Sequence, residues 1–364
     1  MVHQKLGQHF LSNTAWRKRI ADTLPASPDS VWIEIGAGHG EMTEFLAQRA
    51  RRVIAIETDA TLAAALRNRA AKSSSGAGWP NVELMHSDIL AVDLALLVQS
   101  VATVDLRQGT ASAVPTSSVT RGASAPEASL KLAESQREMN ATQHFRMPPR
   151  SAETFKSVVT PNPGRGLTGV RNLLFPSAQP GEMNATQHFR VYGNLPYYIT
   201  SPILTHLFRF AAHIDSIHIV TQLEVAQRIA ALPGSRDYGY LSTLCQYYTR
   251  PELLFRIPPG AFNPPPKVTS SLLEMHLPGE RAALGIQNDA AFLKFLQTCF
   301  AQKRKTLRNN LRDTYAHGAI AKALTAAALT EKSRAEELAL RQFAQIFKVL
   351  NAEENPTSAP QPAR

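Results

Sequence analysis

The sequence predicts an α/β protein in which a parallel, doubly wound sheet is followed by a small domain of helices. Three observations lead to this prediction. Short β-rich runs alternate with Ala- and Leu-rich stretches over residues 31–90, and the alternation resumes at residue 191. After Pro278 the composition becomes helical up to residue 350. Because strands that alternate with helices are typical of parallel sheets, both alternating parts are expected to share one sheet.

The first part of the predicted sheet consists of three strands with helices between them. Val31 to Ile35 is a short β-rich run, and a glycine-rich turn follows it directly. Met42, Phe45 and Leu46 then recur at the spacing of one helix face. The predicted strands are 31–35, 53–56 and 82–86, and the predicted helices are 41–50 and 61–71.

The second part begins with the apolar pair Val191-Tyr192, which predicts a strand that ends at the motif 194–199. Further β-rich and helical runs follow, and the last two strands are expected to close the sheet. The later predicted strands are 217–220, 253–257 and 271–276, the predicted helices are 203–212 and 224–231, and residues 290–350 are expected to form the small helical domain.

A stretch rich in Ser, Thr, Ala, Pro and Gly separates the two parts. It shows no sustained period of 2 or 3.6, which predicts a disordered insertion. It also contains a nine-residue repeat, Glu-Met-Asn-Ala-Thr-Gln-His-Phe-Arg, at 138–146 and 182–190, which we interpret as a local gene duplication. The predicted organisation is a discontinuous catalytic domain (1–90 and 191–278), a low-complexity insertion (91–190), a C-terminal helical domain that contacts RNA (279–350) and a disordered tail (351–364).

Charge and composition restrict the classes of partner. The chain of 364 residues carries a net charge of +10, which favours nucleic acid as the partner and a membrane surface second. No apolar run approaches the roughly 18 residues of a membrane span, and no signal peptide is recognised, so a cytoplasmic protein is expected. The two cysteines, Cys245 and Cys299, are expected to be reduced core thiols, and no Cys/His spacing predicts a metal site.

The glycine-rich turn at residues 34–40 (Glu-Ile-Gly-Ala-Gly-His-Gly) predicts a cofactor site. Gly36 and Gly38 would let a ligand approach the backbone where the helix begins. A dinucleotide fingerprint would need a further glycine at position 41, which is Glu41. Glu57 ends the next strand, where a carboxylate would bind both ribose hydroxyls. Asp88 follows the third strand, where it would accept from an adenine amine.

The motif 194–199 (Asn-Leu-Pro-Tyr-Tyr-Ile) predicts a site for a base that carries an exocyclic amine. The Asn194 side chain and the Pro196 carbonyl would accept hydrogen bonds from that amine, and the Tyr197 ring would stack on the base. This arrangement would orient the nitrogen lone pair of an adenine or a cytosine toward an electrophile. The alternative interpretation is a strand followed by an ordinary turn, because Asn and Pro are common turn residues.

A basic segment without acidic residues, 291–312, predicts a surface for RNA. The alternative is a solvated basic helix face. The residues predicted to contact phosphates are Lys294, Lys303, Arg304, Lys305 and Arg308, and basic residues near the N-terminus (Lys5, Arg17, Lys18 and Arg19) are expected to add to them.

The acidic-x-Gly-x-Gly-x-Gly pattern resembles the first motif of class I S-adenosylmethionine-dependent methyltransferases, which have a Rossmann-like fold. The chain as a whole resembles the small-subunit (16S) ribosomal RNA adenine dimethyltransferases over residues 4–90 and 191–315. The resemblance rests on three motifs: residues 4–11 (Gln-Lys-Leu-Gly-Gln-His-Phe-Leu), residues 194–199, and residues 262–268 (Phe-Asn-Pro-Pro-Pro-Lys-Val).

This resemblance implies S-adenosylmethionine as the cofactor and two successive methyl transfers to adenine N6. It implies a partner as well, the small-subunit RNA or the immature small ribosomal subunit, and Phe262 would cover the second face of the adenine. Position 9 is often Asn in that family, so a cofactor contact of His9 would use its backbone or its imidazole. The implied cofactor contacts are His9, Leu11, Gly36, Gly38, Glu57, Asp88 and Asn194.

Three other functions remain open from the sequence. A macrolide-resistance methylase acting on large-subunit RNA is the nearest alternative, but Leu195 and the triple proline 264–266 favour the small-subunit interpretation. A DNA adenine methylase would need a target-recognition domain, which the sequence does not predict. A ribosome assembly factor with reduced methylation activity is the alternative of another class. A monomer is expected.

Overall fold

The computed structural model describes residues 9–71, 78–97, 188–196 and 198–354. Within these ranges the strands form a seven-stranded sheet and a separate two-stranded ribbon. The strands are β1 (Phe10–Leu11), β2 (Val31–Ile35), β3 (Arg52–Glu57), β4 (Val82–His86), β5 (Phe189–Asn194), β6 (Ile214–Gln222), β7 (Arg250–Ile257), β8 (Phe262–Asn263) and β9 (Ser270–His276).

The large sheet has the strand order β4-β3-β2-β5-β6-β9-β7. The five strands from β4 to β6 pair in parallel, and β9 and β7 complete the sheet as antiparallel strands. The chain first builds the sheet from β2 outward to β4 and then returns to the other side of β2 with β5. A topological switch point therefore lies between β2 and β5, which is where open α/β sheets bind ligands.

Helices cover both faces of this sheet and continue to the end of the described chain. They follow the strands of the parallel part and then form a group of their own after β9. The helices are α1 (Thr14–Thr23), α2 (Glu41–Ala47), α3 (Ala60–Ala71), α4 (Thr200–Phe208), α5 (Leu223–Ala230), α6 (Tyr240–Tyr248), α7 (Arg281–Leu284), α8 (Asp289–Cys299), α9 (Leu307–Leu311), α10 (His317–Ala326) and α11 (Leu340–Glu354).

The two faces of the sheet bury different clusters because alternate strand residues point to opposite sides. On one face Ile33 joins a large core that includes residues of α4, α6 and the helices after β9. On the other face Trp32 joins a smaller cluster with residues of α1 and α2. The large core is thus continuous from the sheet to the C-terminal helices. Within the described residues, no gap in this core marks the domain boundary predicted at residue 279, which stays a prediction.

Several bounds differ from those predicted. Strand β5 begins at Phe189, so the last residues of the second nonamer copy enter the sheet, and Phe189 is buried in the large core. Leu94 and Leu97 also belong to that core, and α11 continues past residue 350 to Glu354. The rest of the predicted insertion and the tail after residue 354 lie outside the described residues. Helices α1 and α6 were not predicted.

Candidate active site

The candidate site lies at the carboxyl ends of the parallel strands, beside the switch point. Ile35 of β2 pairs with Gly193 of β5, so the residues that follow, Gly36 and Asn194, are neighbours. A Cβ built on Gly36 would lie 3.9 Å from the main-chain oxygen of Asn194. The predicted cofactor loop and the predicted target-base motif therefore meet at one point of the sheet.

The glycine-rich turn adopts backbone conformations that L side chains rarely take. The φ angles of Gly36, Gly38 and Gly40 are 71°, 59° and 83°. The turn is anchored to β3, because the N–H of Gly36 donates to the Ile56 carbonyl at 2.8 Å. Only the main-chain oxygen of Asn194 lies within 4 Å of a Cβ built on Gly36, so a cofactor can approach the backbone most closely at this glycine.

Glu57 fixes this loop from the end of β3. Its Oε2 accepts a hydrogen bond from the N–H of Gly38 at 2.8 Å, and its Oε1 accepts one from the N–H of Asp59 at 2.9 Å. The residue is 5% exposed, so both bonds hold the carboxylate in one orientation. A carboxylate has about four acceptor positions, and two remain for the pair of ribose hydroxyls that the sequence predicted for Glu57.

Asp88 lies at the end of β4 and is exposed. Its Oδ1 accepts from the N–H of Leu90 at 3.0 Å, which caps a short 3₁₀ turn over Ile89–Ala91. Asp88 is therefore the N-cap of this turn. The cap uses one oxygen and leaves Oδ2 to accept an adenine amine, so the predicted cofactor contact remains compatible with the structure.

Glu34, the first residue of the turn motif, is buried on β2. Burial raises the pKa of its carboxyl from 4.5 to about 8, and the nearby carboxylates of Glu41 and Glu57 act in the same direction. The Thr43 hydroxyl opposes this shift by donating to Glu34 Oε2 at 2.6 Å. At neutral pH the carboxyl thus retains its proton, and it joins the start of α2 to the strand that precedes the loop.

Asn194 ends β5, and its side chain contacts His9, the residue before the N-terminal strand. The Nδ2 of Asn194 donates to the His9 carbonyl at 2.9 Å, and His9 Nδ1 donates to the Pro264 carbonyl at 2.8 Å. The ribbon of β1 and β8 sets this contact, because Phe10 pairs with Asn263. The three sequence motifs that carried the family resemblance therefore converge here, although no pattern in the sequence predicted the contact between them.

The residues after Asn194 form a turn. The Leu195 N–H donates to the Val220 carbonyl at 3.1 Å, which ties the turn to β6. The Pro196 carbonyl accepts from the N–H of Ile199 at 3.2 Å, and a carbonyl has a second lone pair for a base amine. Tyr197 lies outside the described residues. Tyr198, the next residue of the motif, was not predicted as a site residue, and it is 70% exposed.

Phe262 and Leu11 face each other across the ribbon, and both are buried. They belong to the cluster that includes Trp32, so their side chains secure β1 and β8 to the sheet. A cofactor contact of Leu11 would have to come from its backbone. The covering of a base by Phe262 stays a prediction, and only 4% of the residue is exposed.

The predicted RNA-contacting residues lie on α8, in the loop before α9 and on α9. Lys294 on α8, and Arg304 and Lys305 in the loop, are exposed. Lys303 Nζ donates to the Arg236 carbonyl, which attaches the loop to the turn before α6. Arg308 contacts His317 and forms an ion pair with Glu331, so its charge is partly neutralised within the protein.

The donors and acceptors at the strand ends fit S-adenosylmethionine. The glycine-rich turn, with three glycines at positive φ, would face the methionine end of the cofactor. Glu57 would bind the ribose, and Asp88 would bind the adenine amine. The described ranges contain no cluster of three or more His, Cys, Asp or Glu side chains that could hold a metal ion. Among the same residues, no helix has the length and apolar character needed to cross a membrane.

Comparisons with known proteins identify the family. The model of the family described as ribosomal RNA adenine dimethylase matches residues 1–352. The ribosomal RNA small subunit methyltransferase A of Koribacter versatilis (strain Ellin345) is 37% identical over 348 residues, which cover 95% of this chain and 93% of that relative. The family resemblance and the cofactor inferred from the motifs are thereby confirmed.

Two solved structures show the same fold. A dimethyladenosine transferase from Plasmodium falciparum has a TM-score of 0.59 and 17% identity, and the match covers 95% of this chain and 98% of that one. The 23S rRNA methyltransferase ErmE has a TM-score of 0.53 and 21% identity, with coverage of 94% and 99%. The predicted class I methyltransferase fold is confirmed, but the fold alone does not separate the two ribosomal subunits as substrates.

Proposed function

The chain belongs to the ribosomal RNA adenine dimethylase family, and from this membership we propose that it methylates small-subunit (16S) ribosomal RNA. The methyl donor is S-adenosylmethionine. The products are N6,N6-dimethyladenosines at two adjacent adenosines of the 3′-terminal hairpin loop. The name of the Koribacter versatilis relative supports the small subunit as the substrate, and Leu195 and the triple proline 264–266 favour it over the large subunit.

One observation carries the proposal: the cofactor loop and the target-base motif adjoin at the switch point. Gly36 follows β2 and Asn194 follows β5, and these strands are paired neighbours. A methyl donor on the loop and an amine accepted by Asn194 would therefore lie side by side. Methyl transfer requires the nitrogen, the carbon and the sulfur to lie in one line, and adjoining sites make such alignment available.

The main task of this protein is to align adenine N6 with the methyl group of the cofactor. When bound, S-adenosylmethionine supplies a methyl group that its sulfonium already activates. Adenine N6 is a poor nucleophile because its lone pair is delocalised into the ring. Asn194 Oδ1 and the Pro196 carbonyl would accept both N6 hydrogens and favour a more tetrahedral nitrogen. The target adenine must leave its stack to reach them, and the Tyr197 ring would stack on it.

The partner is the small-subunit RNA within an immature small subunit, bound in part through the basic surface of Lys294, Lys303, Arg304, Lys305 and Arg308. The net charge of +10 supports a polyanionic partner. We place this activity in the cytoplasm and expect a monomer to perform it.

The test is methyl transfer from labelled S-adenosylmethionine to unmethylated small subunits, large subunits and DNA, followed by digestion to nucleosides. We expect label in dimethyladenosine from the small subunit alone. Label in the large subunit would replace the proposal with a resistance methylase. Tight binding to small subunits without any label would replace it with an assembly factor.

Substituting Asn194→Ala tests the catalytic assignment. The change removes the acceptor for the base amine, so we expect the methylation rate to fall at least about 100-fold. Binding to small subunits should change little, because phosphate contacts supply most of that affinity. A matched control is Asn351→Ala on α11, which removes an amide that donates to the Phe347 carbonyl of its own helix. Activity that survived Asn194→Ala would contradict the assignment.

A further inference from the structure

The side-chain amide of Asn194 is restricted to one of its two orientations by the main chain of His9, the residue before β1. Its Nδ2 lies 2.9 Å from the carbonyl oxygen of His9. A carbonyl accepts and cannot donate, so only the NH₂ end of the amide can face it. The reversed amide would place Oδ1 against a second acceptor, which is unfavourable. The hydrogen-bond network therefore directs Oδ1 to the other side of the side chain.

The His9 carbonyl is itself fixed from two directions. The imidazole Nδ1 donates to the Pro264 carbonyl at 2.8 Å. The next residue, Phe10, pairs with Asn263 in the ribbon, and the N–H of Ser12 donates to the Ala261 carbonyl at 3.0 Å. The late proline-rich motif thus determines where the carbonyl lies, although it is remote from residue 9 in sequence.

The same strand also contacts the cofactor loop. A Cβ built on Gly38 would lie 3.3 Å from Phe10 Cε1, and the Phe10 ring centroid is 4.9 Å from that of His39. Strand β1 therefore lies between the glycine-rich turn and the ribbon partner β8, and the carbonyl of His9, the residue before the strand, accepts from Asn194. A displacement of β1 would disturb the loop and the Asn194 amide together.

We propose that His9 is a positioning residue whose main-chain carbonyl sets the donor–acceptor polarity of the target-base site. With Nδ2 engaged, Oδ1 is the atom of the Asn194 amide that can accept, and the Pro196 carbonyl is the second acceptor of the motif. Two acceptors match an exocyclic amine such as adenine N6. They do not match guanine O6 or uracil O4, because these groups are acceptors themselves and would leave the site unpaired. This inference rests on the proposed function, since it concerns the side chain that accepts the base in that reaction.

The substitution Asn194→Asp tests the donor role of the Asn194 side chain separately from its acceptor role. A carboxylate keeps an acceptor oxygen for the base amine, replaces the group that donates to the His9 carbonyl by a second acceptor, and adds one negative charge. If Asn194 acted as an acceptor alone, this variant would remain active. With the polarity set by His9, the carboxylate faces another acceptor, and at neutral pH we expect the methylation rate to fall about 100-fold.

The pH profile distinguishes positioning from a general structural defect. A protonated carboxyl has one O–H, which restores the bond to the His9 carbonyl, and one C=O, which still accepts from the base. The rate of Asn194→Asp relative to the unsubstituted protein should therefore rise at least about tenfold as the pH falls toward the carboxyl pKa. Asn194→Ala cannot regain either group and should stay inactive at every pH.

A second measurement does not depend on turnover. Hydrogen–deuterium exchange of the peptide that contains residues 9–13, corrected for intrinsic rates, reports how firmly β1 is attached. We expect faster exchange in Asn194→Asp than in the unsubstituted protein at neutral pH, and recovery of protection at acidic pH. Unchanged protection and a rate for Asn194→Asp equal to that of the unsubstituted protein would overturn the inference. Lack of methylation by the unsubstituted protein would instead reject the proposed function, and the exchange data would still decide the role of His9.

Discussion

At the scale of single residues, Glu34 links the stability of the protein to pH. Its carboxyl is buried, and burial raises its pKa from 4.5 to about 8. The folded protein therefore binds a proton that the unfolded chain releases above pH 4.5. The stability that this proton contributes is complete below pH 4.5 and is lost above pH 8. Between these two values the free energy of unfolding declines by about 1.4 kcal/mol per pH unit.

The substitution Glu34→Gln removes this titration and keeps an oxygen that can accept from Thr43. We expect the free energy of unfolding of the variant, relative to the unsubstituted protein, to increase steadily from pH 5 to pH 8. Urea unfolding at a series of pH values measures it. Glu224→Gln, at an exposed position in the first turn of α5, is the control and should give a flat difference. A flat difference for Glu34→Gln too would show that its carboxyl is ionised in the folded protein.

At the scale of elements, the turn from β2 into α2 depends on Gly40 for two separate reasons. Its φ is 83°, and a Cβ at this position would lie 2.3 Å from Leu66 Cδ1 and 3.2 Å from Trp79 Cη2. Leu66 is buried, so its side chain cannot move away easily. Gly40→Ala should therefore shift the turn, reduce stability and weaken S-adenosylmethionine binding together, because Gly36 and Gly38 belong to the same turn.

Gly234 provides a matched control for Gly40. It has the same φ of 83°, but a Cβ there would meet nothing within 4 Å. Gly234→Ala should cost about 1 kcal/mol from backbone strain alone. Gly40→Ala should cost about 2 kcal/mol more, because of the collision with Leu66 and Trp79. Thermal unfolding and calorimetric titration with S-adenosylmethionine measure both effects. Equal losses of stability in the two variants would mean that Leu66 and Trp79 can move aside without destabilising the protein.

The elements that the sequence predicted well are those with a local signal. Strands β2 and β3 are runs of buried apolar residues, and the glycines after β2 need their backbone conformations whatever surrounds them. Helix α1 was missed because only Ile20 and Ala21 are buried in it, so its apolar period is weak. The bond from Asn194 to His9 joins residues 185 apart in sequence, and only the ribbon that brings β1 to β8 creates it.

At the scale of the whole molecule, the net charge of +10 raises the question of whether the RNA surface is localised. Lys303, Arg304 and Lys305 are exposed in the loop before α9. If their charges contact phosphates, replacing all three by Ala should weaken binding to small subunits and reduce its salt dependence. We expect the slope of log K against log salt concentration to become shallower by about 2.

The control for this variant changes the charge of the molecule equally at other exposed positions. Replacing Arg67, Arg341 and Lys348 by Ala also removes three positive charges, from α3 and α11. A diffuse attraction between a cationic protein and a polyanion would respond to both triple variants alike, because it depends on total charge. A localised surface responds only to the first, since counterion release requires a contact between a cation and a phosphate. Equal salt slopes for the two triple variants would therefore remove the loop from the RNA interface and leave net charge as the cause of binding.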